Sequence, residues 1–458
     1  MTAGFYNRQK RYAQYRSILF QTPRHRKALQ ACLKENGLDT YDQSFLYVFA
    51  PIAIEFLKWV LAEAVKDKKK RLYFLARDGW LFYHGARFLA AEYGLDLELR
   101  YLKVSRYSMR TACYDQMGGD CIDLICSDGI GVTFEKIMKR AALTEEESFR
   151  IAALTGFSGN EKNSLSSRQI VQLKKRLRQT PLFLEYVFAH SAECRNAAES
   201  YLKQEGLTES VSYGIVDSGW IGTLQQSIEQ LVNRPVYGYY FGLYEIPRNA
   251  DISRYKAFYF MPGTKIRRKI FFSNCLFETV FSAPEGMTIG YTRGGVKGKE
   301  PQYQPIESEM KNPNGRRILW NKTLLMKYAA AYVKDIPMEK HIPIRSESGG
   351  KLAEKLCPLL MGKPALFEAE SFGSQLFCDD VLEHTMQPVA AEIAYEDLKK
   401  QGICRRILGK AGFFQKEPKK SAWPEASITL CGRSVRKYLL QERIYKYLIY
   451  LRKAFTAR

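Results

Sequence analysis

Short unbroken apolar runs alternate with stretches of helical spacing along this chain, and the pattern is sharpest over residues 71–90, RLYFLARDGWLFYHGARFLA. Residues 72–76 follow a basic cluster and read as a buried strand, Arg77-Asp78-Gly79 breaks the run, and residues 80–90 have the spacing of an amphipathic helix. Residues 213–232 repeat this order, with YGIV as a strand, DSGWIGT as a glycine-containing loop and LQQSIEQLV as a helix. Further strands are expected over 97–104, ending at Ser105-Arg106, over 236–244 and over 256–261. Apolar strands that alternate with helices need crossover connections and cover on both faces. The pattern therefore predicts an α/β fold with a mainly parallel, Rossmann-like sheet built from 43–115 and 211–292.

Residues 116–210 interrupt the alternation with four helical segments, 133–142, 145–154, 167–179 and 182–204, and are expected to form a helical insertion that caps the sheet edge. Residues 44–65 are the most apolar stretch, but Pro51, Glu55, Lys58 and Glu63 suit a core helix entered at Pro51 better than a membrane span. Residues 1–42 form a basic N-terminal arm without the apolar centre of a signal peptide. The Gly, Lys, Pro and Asn content of 294–314 predicts a boundary loop, and 346–351 a second loop. The rest of 293–458 reads as helical.

Composition narrows the partners. A net charge of +22 on 458 residues favours anionic ligands: a phosphorylated metabolite, nucleic acid or an acidic membrane surface. Nucleic acid is the least favoured, because the charge is dispersed and no zinc finger or RNA-recognition signature is visible. Residues 434–458 hold seven Lys or Arg against one Glu, interleaved with Tyr, Leu, Ile and Phe, a pattern that suits either an anionic membrane or a terminal helix docked on its own domain. The ten cysteines include no CxxC and predict reduced thiols in a cytoplasmic protein, peripheral to the membrane if the tail engages it.

The candidate chemistry lies in the two loops. A loop that enters a helix presents unpaired amides to an anion, and Gly79, Gly219 and Gly222 would let a ligand approach the backbone. Arg77 and Arg106 would add charge-assisted contacts, Thr223 a hydroxyl donor, and Ser105, Ser218 and Trp220 further binding groups. Asp78 and Asp217 are the candidate catalytic carboxylates, and Asp217 could hold sugar hydroxyls or a magnesium ion. The plainer alternative is that both aspartates cap helices while the glycines make turns. Parallel strands deliver their carboxyl ends to one edge, so Arg77, Asp78, Ser105, Arg106, Asp217, Gly219, Gly222 and Thr223 are expected in one pocket. Glu278 with Glu285, His84 and His190 are lesser acid/base candidates.

A strand ending in Arg-Asp-Gly followed later by IVDSGWIGT resembles the layout of type I phosphoribosyltransferases, which implies an early pyrophosphate loop and a later ribose-phosphate loop. One acid, Asp217, precedes the second loop where that family has two, and Val216 stands in the first place. ARDGWL is similar to the second half of the haloacid dehalogenase signature, but Ala76 occupies the nucleophile's position, so a standard phosphatase of that type is excluded. FLARDGWL, YLKVSRYS, VDSGWIGTLQ, FETVFSAPEGMTIGY and WPEASI together resemble the C-terminal region of bacterial proteins catalogued as predicted HAD-superfamily hydrolases and associated with polysaccharide biosynthesis. That likeness implies a role near cell-surface glycan assembly, with the activity of this region undefined; the two loops and their charges point to an enzyme acting on a nucleotide sugar or sugar phosphate, the alternative being a non-catalytic binding or scaffold module among glycan-assembly proteins.

Overall fold

The computed structural model describes residues 2–456 except 128, 130, 298–299, 335–346, 379–381, 383–385, 401 and 404–420. Its centre is β1 (Arg71–Leu75), a strand whose five residues are all buried. Such two-sided burial requires neighbours in the sheet and cover on both faces. β1 lies between β2 (Glu98–Leu102) and β3 (Tyr213–Trp220); β4 (Gly238–Leu243) and β5 (Tyr255–Phe260) follow, giving the all-parallel order β2-β1-β3-β4-β5. The fold is thus α/β with a parallel sheet, as the alternation predicts.

Side chains alternate across β1 as the pleat demands. Leu72 and Phe74 enter one core with Phe56, Phe82, Phe241 and Phe277, while Tyr73 and Leu75 enter another with Tyr201, Ile215 and Ile228. The first core includes the apolar helical stretch Thr40–Lys66, long and apolar enough to cross a membrane yet largely buried inside the protein. Glu55 is a buried charged group within it. Its carboxylate faces His25 at 3.2 Å and accepts hydrogen bonds from Lys58 at 2.8 Å and Tyr332 at 3.0 Å, which ties three helices together.

Several expectations need correction. The N-terminal arm is two helices, Thr2–Leu19 and Pro23–Cys32, with Tyr12, Tyr15, Leu19, Ala28 and Leu29 buried; the dense basic residues occupy the other faces and mask this stripe in the sequence. The boundary loop is an antiparallel hairpin of β6 (Thr288–Lys297) and β7 (Glu300–Glu307). Its glycines and prolines are tolerated because each strand has a free edge, and Tyr291 anchors it by stacking on Tyr201 at 4.4 Å. The helix Glu347–Leu360 begins inside the second expected loop, whose residue 346 lies outside the described residues. Gly349 and Gly350 serve close packing there, since a Cβ at Gly349 would sit 2.9 Å from Glu55.

The insertion is helical, as expected, and has its own core, from Tyr114 and Cys121 to Phe183 and Val187. Its long last helix Pro181–Gln204 leaves that core toward its C-terminal end, where Ala198, Tyr201 and Leu202 join the sheet's second core, and it packs along the β6–β7 hairpin.

Candidate functional site

The carboxyl ends of β1, β2 and β3 open into a cleft of about 420 Å³, within the range that holds a metabolite-sized ligand. It is lined by Arg77, Asp78, Ser105, Arg106, Asp217, Gly219, Trp220, Gly222 and Thr223. All eight residues expected to converge do so. No described residue of 116–210 lines it, so the insertion is not its cap; more of the wall comes from Tyr244 and Glu245, from Asn274, Glu278 and Met287, and from Phe377, Tyr450 and Lys453.

Each side chain is placed by local structure. β3 runs through Trp220, so Asp217, Ser218 and Gly219 belong to the strand and not to a loop, and Gly219 pairs with Gly242. A Cβ at Gly219, whose φ is +133°, would meet the Gly242 carbonyl oxygen at 2.0 Å. Gly222, at φ +72°, precedes the helix Thr223–Val232 and leaves Thr223 at the positive end of its dipole. Asp78 stands at the start of the helix Gly79–Glu92 but makes no capping hydrogen bond. Its carboxylate instead accepts from the Ser218 hydroxyl, while the Ser218 amide donates to Asp217 at 2.9 Å.

Two expected binding residues act from behind the wall. Ser218 is fully buried and joins the two aspartates without lining the cleft. Gly79 faces the strand, where a Cβ would lie 2.9 Å from the Phe74 backbone, so its small size serves helix packing. Ser105 lines the cleft with its hydroxyl engaged: it caps the next turn through Ser108 and donates to the Thr288 carbonyl at 2.6 Å. Trp220 packs mainly among Tyr244, Phe272 and Phe277, and its Nε1 donates to Glu278 at 2.5 Å. Glu285 accepts from Tyr101 at 2.7 Å, so the two glutamates serve separate aromatic donors. His84 packs edge-on against Trp80 and His190 pairs with Glu147; neither lines the cleft.

Burial raises the carboxyl of Asp217 to about 7, the nearby Arg106 charge and the Ser218 amide pulling back only partly. Asp78 is raised in the same sense by burial and by the Asp217 charge. Both carboxyls shift in the same direction, so near neutral pH the pair retains a proton. Arg77 is shifted down by burial, opposed chiefly by Asp78.

The sequence reading missed Arg110. It is buried in the cleft wall, its guanidinium donating to the Thr223 hydroxyl at 2.9 Å while its Nε has no partner. Among the described residues no carboxylate pairs with it, and the Arg106 and Arg140 charges act on it. Burial and those like charges lower its pKa to about 10. A buried cation beside another cation and a helix N-terminus has the chemistry to accept an anion. No group of three or more metal-ligating side chains occurs among the described residues. Magnesium fits only in company with ligand oxygens, since two carboxylates plus phosphate oxygens is a set it accepts.

Fold and site define an α/β protein with a polar, cation-rich cleft at the carboxyl edge of a parallel sheet. No protein-family model matches the chain, and no curated protein is significantly similar to it.

Proposed function

We propose that the protein binds a phosphorylated sugar, as a sugar phosphate or nucleotide sugar, and acts on it as a transferase or hydrolase in support of cell-surface polysaccharide assembly. Arg110 carries this reading: a buried guanidinium with no carboxylate partner among the described residues, beside Thr223 and a helix N-terminus, calls for a phosphate. Arg106 adds charge at the same wall. Asp78 and Asp217 then face the sugar. One, ionised, orients a hydroxyl or holds magnesium with the ligand; the other, protonated, donates to a leaving oxygen as general acid. Ala76 at the cleft supports chemistry without an aspartyl-phosphate intermediate.

A non-catalytic binding role in a glycan-assembly complex is the second reading. It is favoured by Val216, fully buried where the resembled transferases carry their first acid. Calorimetry and thermal shift with sugar phosphates, nucleotide sugars, phosphoribosyl pyrophosphate and pyrophosphate, with and without magnesium, test binding. Product analysis on any ligand that binds separates the two readings. Failure of every phosphorylated ligand to bind would remove both.

A further inference from the structure

The C-terminal helix Val435–Thr456 has a role beyond its contribution to the cleft. Its inner side docks through Tyr438, Leu439, Glu442 and Tyr445, all buried, and through a Lys446–Glu425 pair at 2.6 Å. Near its end Tyr450 stacks on Tyr244 with ring centroids 5.4 Å apart, and Lys453 pairs with Glu245 at 2.5 Å. These contacts fix the helix's rotation about its axis. The opposite face is therefore held outward, and it is apolar: Leu440 is 55% exposed, Ile444 41%, Tyr447 47% and Leu448 42%. Their i, i+4, i+7, i+8 spacing makes one continuous stripe.

Charge selects what covers this stripe. Arg436, Lys437 and Arg452 are exposed on the same helix, whereas its one acid, Glu442, is turned inward and buried. An acidic protein surface would satisfy the cations but leave four large apolar side chains poorly matched. A neutral partner would do the reverse. An anionic lipid surface offers both headgroup charge and an acyl boundary, with tyrosine suited to the interface between them. We infer that the outward face of Val435–Thr456 adsorbs to an anionic lipid bilayer. Because the same helix carries Tyr450 and Lys453 at the cleft, adsorption brings the cleft's mouth close to the bilayer surface.

The test is vesicle co-sedimentation of the full chain at low and high salt. Vesicles of phosphatidylcholine alone are compared with vesicles holding about one-third phosphatidylglycerol, a density sufficient to create an attractive surface potential. The protein should sediment with the anionic vesicles only and be released by salt. Arg436→Gln with Lys437→Gln should lower partitioning roughly tenfold or more, the scale of losing two cations near such a surface. Leu440→Gln, Ile444→Gln and Leu448→Gln together should abolish it, while circular dichroism and thermal midpoint change little because these half-exposed side chains belong to none of the buried clusters of described residues. Equal sedimentation with both vesicle types, or none with anionic vesicles at low salt, overturns the inference. A dimer in the wild type that the triple variant converts to monomer also overturns it, since a second copy would then cover the stripe. None of these readouts depends on a cleft ligand.

Discussion

Arg110 is held at a cost that a bound anion would remove. Arg110→Ala should weaken a phosphorylated ligand by about 1.5–3 kcal/mol, the range for a hydrogen bond to a charged group, as calorimetry would show. Without ligand the same variant should unfold no earlier than wild type, because among the described residues it loses one hydrogen bond, to Thr223, and no ion pair, while a buried charge is removed. The aspartates make a second case. Both have folded-state pKa values raised above those of an unfolded chain, so the folded protein holds protons that the unfolded chain has released. Their stabilising contribution is present below about pH 4 and is lost as pH rises through about 7. Urea unfolding of the unliganded protein should therefore give a fall in stability between pH 5 and pH 8. Asp78→Asn with Asp217→Asn should reduce that fall by roughly 1–2 kcal/mol, after allowing for water in the cleft. At this scale the site was partly legible. Arg77, Asp78 and Asp217 flank glycines at strand ends and stand out in a linear reading. Arg110 does not: within RYSMRT nothing marks it, and only the turn capped by Ser105 carries it back to Thr223. Ser218 and Gly79 were read as ligand contacts because a one-dimensional motif cannot tell a residue facing the cleft from one facing the sheet.

Among the elements, the strands were foreseen and their extents were not. The run YGIV ends where apolar residues end, yet β3 continues through Trp220 because β4 offers glycine opposite glycine. Gly219→Ala would force the two strands apart, and a loss of roughly 3 kcal/mol or more in chemical denaturation is expected, in line with severe backbone conflicts. The hairpin β6–β7 escaped for a related reason: glycine and proline were read as loop signals, although a ribbon with two free edges accommodates them. In the core helix Ala50–Lys66, Glu55 is pushed up by burial but pulled further down by His25 and Lys58, to about 2. The stability it contributes is present above the ordinary carboxylate pKa and is lost as pH falls toward 2. Glu55→Gln leaves the largely covered Lys58 ammonium without its counter-charge and should cost about 3 kcal/mol at neutral pH, the lower end for breaking a buried pair, measured by urea denaturation.

At the scale of the whole molecule, the insertion up to Val187 buries its apolar residues in a cluster separate from the two that flank the sheet. Residues packed mainly within one cluster open together. Hydrogen exchange should accordingly find the amides of helices Phe134–Arg140, Glu145–Thr155 and Ser167–Arg178 exchanging as one unit, earlier than those of β1 and β3; simultaneous exchange of both sets would refute this. The cleft, by contrast, draws on distant parts of the chain, from Ala76 to Lys453. A ribosome adding about 5–20 residues per second needs on the order of tens of seconds to pass from one to the other. Through that interval the nascent protein holds its first aspartate and its arginines ready while the wall carrying Tyr450 has yet to be synthesised. A premature stop late in the message would thus yield a chain whose sheet can form but whose cleft stays open on one side.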